Sequence, residues 1–183
     1  MRAPAPLPGR RGTPSALTRL HTMSIPSPGD LGGFLQMMEA AGAAGLKLPP
    51  PVFADMETEV RDYRPGEAET HVGATLVCRF PVLERYQNPT GAMQGGVLAA
   101  AVDNVVGPLS YLVAPPSATA QLALTYLRPV TPDFPHVEVE ARLVSRAGRQ
   151  LVFDATVRAP DGTELALARA TQTVLRRGTG NGK

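Results

Sequence analysis

Hydrophobic and polar positions along the chain predict one long apolar helix with strands on either side of it. From Val97 to Val106 nearly every residue is apolar. A helix there would be apolar on every face, which is typical of a helix buried in a core. The preceding loop, residues 88–96, contains the turn residues Pro, Thr and Gly. Pro108 should kink the helix or end its first part, and we predict a central helix over 93–113.

Strands are predicted before and after this helix, from alternating apolar and polar residues at 70–80, 136–146 and 151–158 and from a weaker pattern at 56–64. Two runs that resemble a hairpin precede it, and the runs that follow are separated by clear turns. Small residues share one face of the last run, which suits close packing over a helix. The predicted strands are 56–64, 70–80, 119–128, 136–146, 151–158 and 163–176.

Five or six antiparallel strands with one long helix indicate an α+β fold, in which a single curved sheet wraps around the central helix. Such a sheet has edges that need cover. Pairing two sheets edge to edge would give a dimer. On the second strand, His71 is expected at the surface, and the single cysteine, Cys78, is expected to be an inert core thiol.

One carboxylate, Asp103, interrupts the apolar helix. A buried acid without a partner costs several kcal/mol, so this residue is the first candidate for chemistry, as a general base or a nucleophile. The alternative is an acid that is paired only for stability.

The spacing between Asp103 and the start of the helix is a second clue. Gly95 and Gly96 can bring bare backbone close to a ligand, and a helix start carries unpaired N–H groups suited to a developing oxyanion. Gly95 lies eight residues before Asp103, about 12 Å along one helix. Both groups must lie within a few ångströms of one reacting centre. If both act, they therefore come from two copies of the chain across a symmetric interface.

The same stretch resembles the signature of the PaaI-like (phenylacetate-degradation) acyl-CoA thioesterases, which have the hotdog fold. Their pattern is an Asn, five residues, His-Gly-Gly, and an Asp nine positions after the His. Here Asn88, Gly95, Gly96 and Asp103 fall on that pattern, and Gln94 stands where the His is usual. Residues 119–129 resemble the family's next strand, and the similarity covers roughly residues 55–175.

The resemblance implies hydrolysis of short- or medium-chain or aryl-acetyl CoA thioesters at a site shared between two protomers of a homodimer or homotetramer. Asp103 would be the base or nucleophile, and the Gly95 amide would be the oxyanion donor. Asn88 would orient the carbonyl or the water, unless it only bonds its own loop. Thr119 would hold water near the acid, unless it is only a strand former.

Binding of the coenzyme is expected to involve arginine, which suits phosphate. Arg128, Arg146 and Arg149 lie beside strand ends, and the alternative for each is a solvated surface charge. Gln94 and Gly96 are further candidates for substrate binding. Because Gln94 keeps a hydrogen-bonding side chain but cannot titrate, its presence bears on geometry and rate more than on the reaction type.

The same residues bear on three other functions. A non-catalytic acyl-CoA-binding dimer, a sensor or a carrier, would use the same cleft, and Gln94 makes it credible. A Ser-His-Asp hydrolase is disfavoured because no Gly-x-Ser-x-Gly elbow occurs. A hotdog dehydratase would need a catalytic His beside an acid, and no His is near Asp103 in the sequence.

The amino-acid composition argues against several other classes of protein. The 183 residues fit one domain, and one cysteine gives no disulfide framework. Three scattered histidines show no zinc-ligand spacing, so we expect no metal and no resident cofactor. No apolar run reaches the length of a membrane span. Residues 30–175 hold eleven basic and sixteen acidic residues, a net charge of −5, which argues against nucleic acid as the main partner.

The two ends of the chain differ from the middle. Residues 1–29 are rich in Pro, Arg, Ser and Gly without a hydrophobic period, as in a disordered basic tail. A transit peptide and a true start at Met23 are the alternatives. We predict a domain over 30–176 with an N-terminal helix at 30–45, a disordered tail over 177–183, and a cytoplasmic protein.

Overall fold

The computed structural model describes residues 50–175, together with Gly32, Gly33, Gln36 and Glu39, which have helical backbone. The predicted tails, and the predicted helix over 30–45 apart from those four residues, lie outside the described part of the chain. Across residues 50–175 the elements are, in order, α1 (Pro51–Asp55), β1 (Glu59–Arg64), β2 (Thr75–Pro81), a 3-10 turn (Glu84–Tyr86), α2 (Gly95–Val113), β3 (Ser117–Tyr126), β4 (His136–Ala147), β5 (Gln150–Arg158) and β6 (Glu164–Val174).

The strands of this region form one sheet of six, in the order β1-β2-β4-β5-β6-β3. Every neighbouring pair is antiparallel. Helix α2 packs against β2, β3, β4, β5 and β6. The predicted fold is therefore confirmed: a curved antiparallel sheet wraps around a long central helix.

Helix α2 is the centre of the hydrophobic core. Eleven of its 19 residues are buried, and the helix runs to Val113 with Pro108 inside it, so the proline does not end it. At 19 residues it is long and apolar enough to cross a membrane by length and composition alone. The prediction from the sequence differed, because it considered only uninterrupted apolar runs. Most of the helix is buried against the rest of the chain, as expected for the helix of a core.

The inner face of the sheet consists of alternate residues along each strand, as the period of two predicts. Phe80, Leu143 and Phe153 are fully buried there. On β6, Ala166, Ala168 and Ala170 are buried, as the small-residue face predicted. Cys78 is also buried, and burial raises the pKa of its thiol to about 12, which confirms the inert core cysteine.

The turn before β2 differs from the prediction. The strand begins at Thr75 rather than at residue 70, and His71 lies in a turn with φ of 59°, so the prediction of a surface strand residue is wrong. The turn closes tightly: a Cβ at Gly66 would lie 2.2 Å from the His71 carbonyl oxygen. Partial burial, with a smaller contribution from the charge of Arg146, lowers the pKa of His71.

Candidate active site

The loop that leads into α2 is organised by the side chain of Asn88. Its carboxamide oxygen accepts hydrogen bonds from the Thr90 N–H at 2.9 Å, from the Thr90 hydroxyl, and from the Ala92 N–H at 3.2 Å. Backbone N–H groups can only donate, so they identify this atom as the oxygen. The Asn88 side-chain oxygen therefore bonds its own loop, which was the alternative to a catalytic role. Its N–H₂ group is the part that can donate a hydrogen bond to a ligand.

The loop ends in the N-cap residue of α2, Gln94. Its carbonyl accepts the Val97 and Leu98 N–H groups at 2.9 and 3.2 Å, while its side chain makes no capping bond and is exposed. Gly95 and Gly96 are therefore the first two residues of the helix. Their N–H groups have no acceptor within the helix, and the positive end of the helix dipole lies there.

Tyr126, at the end of β3, holds the helix start in place. Its hydroxyl donates to the Gly95 carbonyl at 2.8 Å. A Cβ at Gly95 would lie 3.0 Å from the tyrosine Cζ, so the close packing of ring and backbone favours glycine. Sequence reasoning missed this tyrosine, since a residue at a strand end carries no signal for a helix contact made across 31 positions.

The helix start opens onto a cavity of about 450 Å³, which we call the loop cavity. Three predicted site residues meet there: Asn88, Gly95 and Arg128. The Arg128 guanidinium donates to the Glu164 carbonyl at 2.8 Å and is exposed. An amide donor and a cation thus line the same cavity as the unpaired start of the helix.

Asp103 lies on a partly exposed stripe of α2 that also contains Ala99, Ala100 and Gly107. The prediction of a buried acid is wrong: Asp103 is half-buried, because the neighbouring positions on that stripe of the helix are partly exposed as well. Its Oδ1 accepts the Thr119 hydroxyl of β3 at 2.9 Å. The structure therefore pairs two predicted catalytic residues that are 16 positions apart in the chain.

The Asp103–Thr119 pair lines a second cavity, of about 390 Å³, which we call the acid cavity. Part of its wall is apolar and part carries polar side chains. Its lining residues are Pro50, Val52, Asp103, Asn104, Gly107, Pro108, Tyr111, Ser117, Ala118, Thr119 and Gln172. None of these residues lines the loop cavity, so one protomer holds the acid and the helix start in separate cavities.

The remaining predicted arginines lie at the far end of the molecule from Arg128. Arg146 donates to the carbonyl of Val113, the last residue of α2, at 3.2 Å. Arg149 donates to the Val174 carbonyl at 2.8 Å. The three arginines therefore do not form one cluster within a protomer.

One residue behind the Asp103–Thr119 pair, Gln172, was not predicted from the sequence. Gln172 donates to the Thr119 hydroxyl oxygen at 2.9 Å and is 2 % exposed. Its signal was present, because it continues the core-facing series Ala166, Ala168, Ala170 with a polar residue. Within residues 50–175 no group of three His, Cys, Asp or Glu side chains could hold a metal ion.

The chain is similar to known proteins in part of its sequence and in its fold. Residues 90–166 match the thioesterase superfamily. No curated protein matches the sequence. Among solved structures, the PaaI protein of the phenylacetic acid degradation operon of E. coli superposes with a TM-score of 0.64 at 13% identity, over 80% of this chain and 96% of that one.

Two further structures are similar. A point mutant of the phenylacetic acid degradation protein PaaI from Thermus thermophilus has a TM-score of 0.59 at 22% identity, over 69% of this chain and 100% of that one. The smu.793 protein of Streptococcus mutans, solved bound to acetyl CoA, has a TM-score of 0.57 at 20% identity, over 66% of this chain and 90% of that one. At these identities the likeness establishes the fold.

Proposed function

We propose that this protein, a hotdog-fold member of the thioesterase superfamily, hydrolyses acyl-CoA thioesters to a free acid and coenzyme A. The observation that carries the proposal is the hydrogen bond from the Thr119 hydroxyl to Asp103 Oδ1 at the wall of the acid cavity. A carboxylate that is held by one oxygen and open to a cavity suits attack on a carbonyl. The acetyl CoA bound by the similar smu.793 protein supports a CoA thioester as the substrate class.

Asp103 has two chemical options, and both use its second oxygen. As a general base, Oδ2 takes a proton from water while the water oxygen adds to the thioester carbon. As a nucleophile, Oδ2 itself adds to that carbon, and water then hydrolyses the resulting anhydride. In both cases the C–S bond breaks, and the sulfur of coenzyme A leaves with the bonding electron pair and is protonated. Neither option uses a resident cofactor.

The oxyanion requires hydrogen-bond donors. In a single protomer the candidate donors line the loop cavity, whereas Asp103 lines the acid cavity. We assign this role to the Gly95 N–H at the start of α2, where the dipole favours negative charge. The N–H₂ of Asn88 lines the same cavity and is assigned to orient the carbonyl. Because about 12 Å of helix separates Gly95 from Asp103, the active unit is a homodimer in which each site joins one protomer's loop cavity to its partner's acid cavity.

The coenzyme needs contacts for its phosphates. Arg128, beside the loop cavity, is the candidate from one protomer, and Arg146 and Arg149 are candidates from the other. Gln94 and Gly96 are exposed on either side of Gly95 at the helix start, and we assign them to substrate binding there. Arg146 and Arg149 line neither cavity, and we assign them to the partner because they lie at the end of the protomer opposite Arg128.

The test is release of free thiol from acetyl-, hexanoyl- and phenylacetyl-CoA. We expect wild-type turnover, and a loss of about 10²-fold or more in kcat for Asp103→Asn, which keeps the hydrogen bond acceptor but not the base. The matched control is Asp133→Asn, because Asp133 also accepts a threonine hydroxyl, from Thr131 at 3.1 Å, on a loop. Equal turnover by Asp103→Asn and wild type would remove Asp103 from the reaction.

The acyl-CoA-binding dimer remains the second candidate, since an exposed glutamine at position 94 cannot donate or accept a proton in catalysis. The same experiment separates the two functions. Tight binding of acyl-CoA with no thiol release from any of the substrates would favour the binding protein over the hydrolase.

A further inference from the structure

A chain of polar side chains leads from Asp103 into the core. Gln172 Nε2 donates to Thr119 Oγ1 at 2.9 Å, and Gln172 Oε1 lies 3.4 Å from the Ser117 hydroxyl. The single proton of the Ser117 hydroxyl is shared between Gln172 Oε1 and Ser110 Oγ, the latter at 2.9 Å, and the Ser110 hydroxyl donates to the Gly107 carbonyl at 2.7 Å. We call these links the Gln172 chain.

Burial makes this arrangement costly unless every group is bonded. Gln172 is 2 % exposed, and Ser110 is fully buried. A buried amide without partners costs free energy, and the neighbouring core-facing positions of β6 are alanine. Packing alone would favour another small apolar residue at position 172. The amide at position 172 is therefore explained by its hydrogen bonds and not by packing.

The polarity of the chain follows from its outer end. An ionised carboxylate only accepts hydrogen bonds, so the Thr119 hydroxyl at 2.9 Å from Asp103 Oδ1 must donate to it. A hydroxyl has one proton, so Thr119 Oγ1 can only accept from Gln172. The Nε2 end of Gln172 must then face Thr119, and the Oε1 end faces Ser117.

We propose that Gln172 is a positioning residue for the hydrolysis assigned above, an inference that rests on that proposed function. Its N–H₂ group holds the Thr119 hydroxyl with the proton directed at Asp103 Oδ1, which leaves Oδ2 as the oxygen that reacts. Thr119 lies exposed on the edge strand β3 and would otherwise rotate. A carboxamide suits this task, because its donor and acceptor ends exchange only if the whole group flips.

The first test compares Gln172→Met with wild type. Methionine keeps the unbranched shape but cannot donate to Thr119. We expect kcat to fall about tenfold, the size of one lost hydrogen bond, with KM changed less than about twofold because no substrate contact is removed. Gln172→Leu, which also lacks a donor, should show the same loss of kcat if Gln172→Met folds poorly. Unchanged kcat in a folded Gln172 variant would overturn the inference.

The matched control is Ser110→Ala. It removes an equally buried hydroxyl at the inner end of the Gln172 chain but leaves the bond from Gln172 to Thr119 intact. We expect its stability to fall while its kcat stays within about twofold of wild type. If Ser110→Ala loses as much kcat as Gln172→Met, general loosening of the core explains both, and the inference is wrong.

A double-mutant cycle tests whether Gln172 acts through Thr119. In a Thr119→Val background, which has no hydroxyl to orient, Gln172→Met should cause no further loss of kcat. Losses that multiply in the double variant would contradict a shared path.

A readout without turnover keeps this inference separate from the proposed function. The Thr119 methyl resonance, assigned by its absence in Thr119→Val, reports the rotamer of that side chain. It should shift in Gln172→Met and stay in place in Ser110→Ala. If wild type releases no thiol, the proposed function fails, yet this spectrum still decides whether Gln172 orients Thr119; an unmoved resonance in Gln172→Met would refute it.

Discussion

Gly95 has two separate features, a backbone N–H that any residue but proline supplies and a lack of Cβ that only glycine provides. Its N–H is free at the helix start, and Tyr126 packs so closely that a Cβ would meet the ring at 3.0 Å. Its predecessor Gln94 has φ of −65° and ψ of 135°, a conformation that the residue before a proline also adopts. Proline is itself favoured at the first position of a helix. Position 95 therefore allows the N–H to be removed with little change in the backbone.

Gly95→Pro should lose about 10²–10³-fold in kcat, because it deletes the proposed oxyanion donor. Gly95→Ala is the control: it places a Cβ against the same tyrosine but keeps the N–H, and we expect a clearly smaller loss. Steady-state kinetics with the best of the three CoA thioesters measures both. If the two variants lose activity equally, crowding at Tyr126 and not the missing N–H is responsible.

Cys78 allows a pH-dependent prediction at the same scale. Burial raises the pKa of its thiol from 9.0 to about 12, so the folded protein should not react with a disulfide reagent at pH 8. One thiol per chain should react after denaturation, since the sequence has one cysteine. Because the folded-state pKa is the higher one, the stabilisation from the buried thiol is complete below about pH 9 and is lost as the pH rises toward 12. Rapid labelling of the native protein at pH 8 would contradict the buried thiol.

At the scale of elements, the contact between α2 and the sheet depends on small residues in β6. Ala166 is fully buried, and a larger side chain there must push the packed layers apart. The outer face of the same sheet has room: Ala123 on β3 is exposed and pairs with Arg169 of β6. These two alanines form a matched pair for one substitution.

Ala166→Leu should destabilise the fold by about 1–3 kcal/mol through overpacking, whereas Ala123→Leu should change stability by less than about 0.5 kcal/mol. Urea unfolding followed by circular dichroism gives both values. Equal effects at the two positions would mean that the inner face of β6 is not closely packed.

For the whole molecule, the decisive feature is that Asp103 and Gly95 line different cavities of one protomer. A chain acting alone would have an acid without an oxyanion donor within reach. Two chains related by a two-fold axis would supply both sites at once. The edge strands β1 and β3 are the parts of the sheet available for pairing.

Mixing Asp103→Asn protomers with Gly95→Pro protomers should restore activity. Each mixed dimer would carry one intact site and one doubly defective site, so random exchange would recover about a quarter of wild-type activity. The control is each variant mixed with itself, which should stay inactive. If mass spectrometry shows mixed dimers and no activity is recovered, the shared site is contradicted.

Much of the fold could be predicted from periodicity. The alternation of apolar residues located β2, β4 and β5, because a sheet that buries one face requires it, and the all-apolar run located the central helix. The strand β3 is mostly exposed and has no such alternation. The boundaries of the elements follow the pattern less closely. The strand β2 begins five residues later than its alternation indicated, since the chain at His71 adopts a left-handed turn that hydrophobic pattern does not encode.

The sequence by itself determined the α+β class and the candidate residues Asn88, Gly95 and Asp103, and helix geometry required Gly95 and Asp103 to lie apart. Only the tertiary structure decided which distant side chains meet. It placed Gln172 behind Thr119 and Tyr126 against Gly95, and it left Asp103 half-buried. The physical reason is that local pattern sets which face of an element is buried, whereas the partner of a polar group depends on how strands and helix pack across many positions.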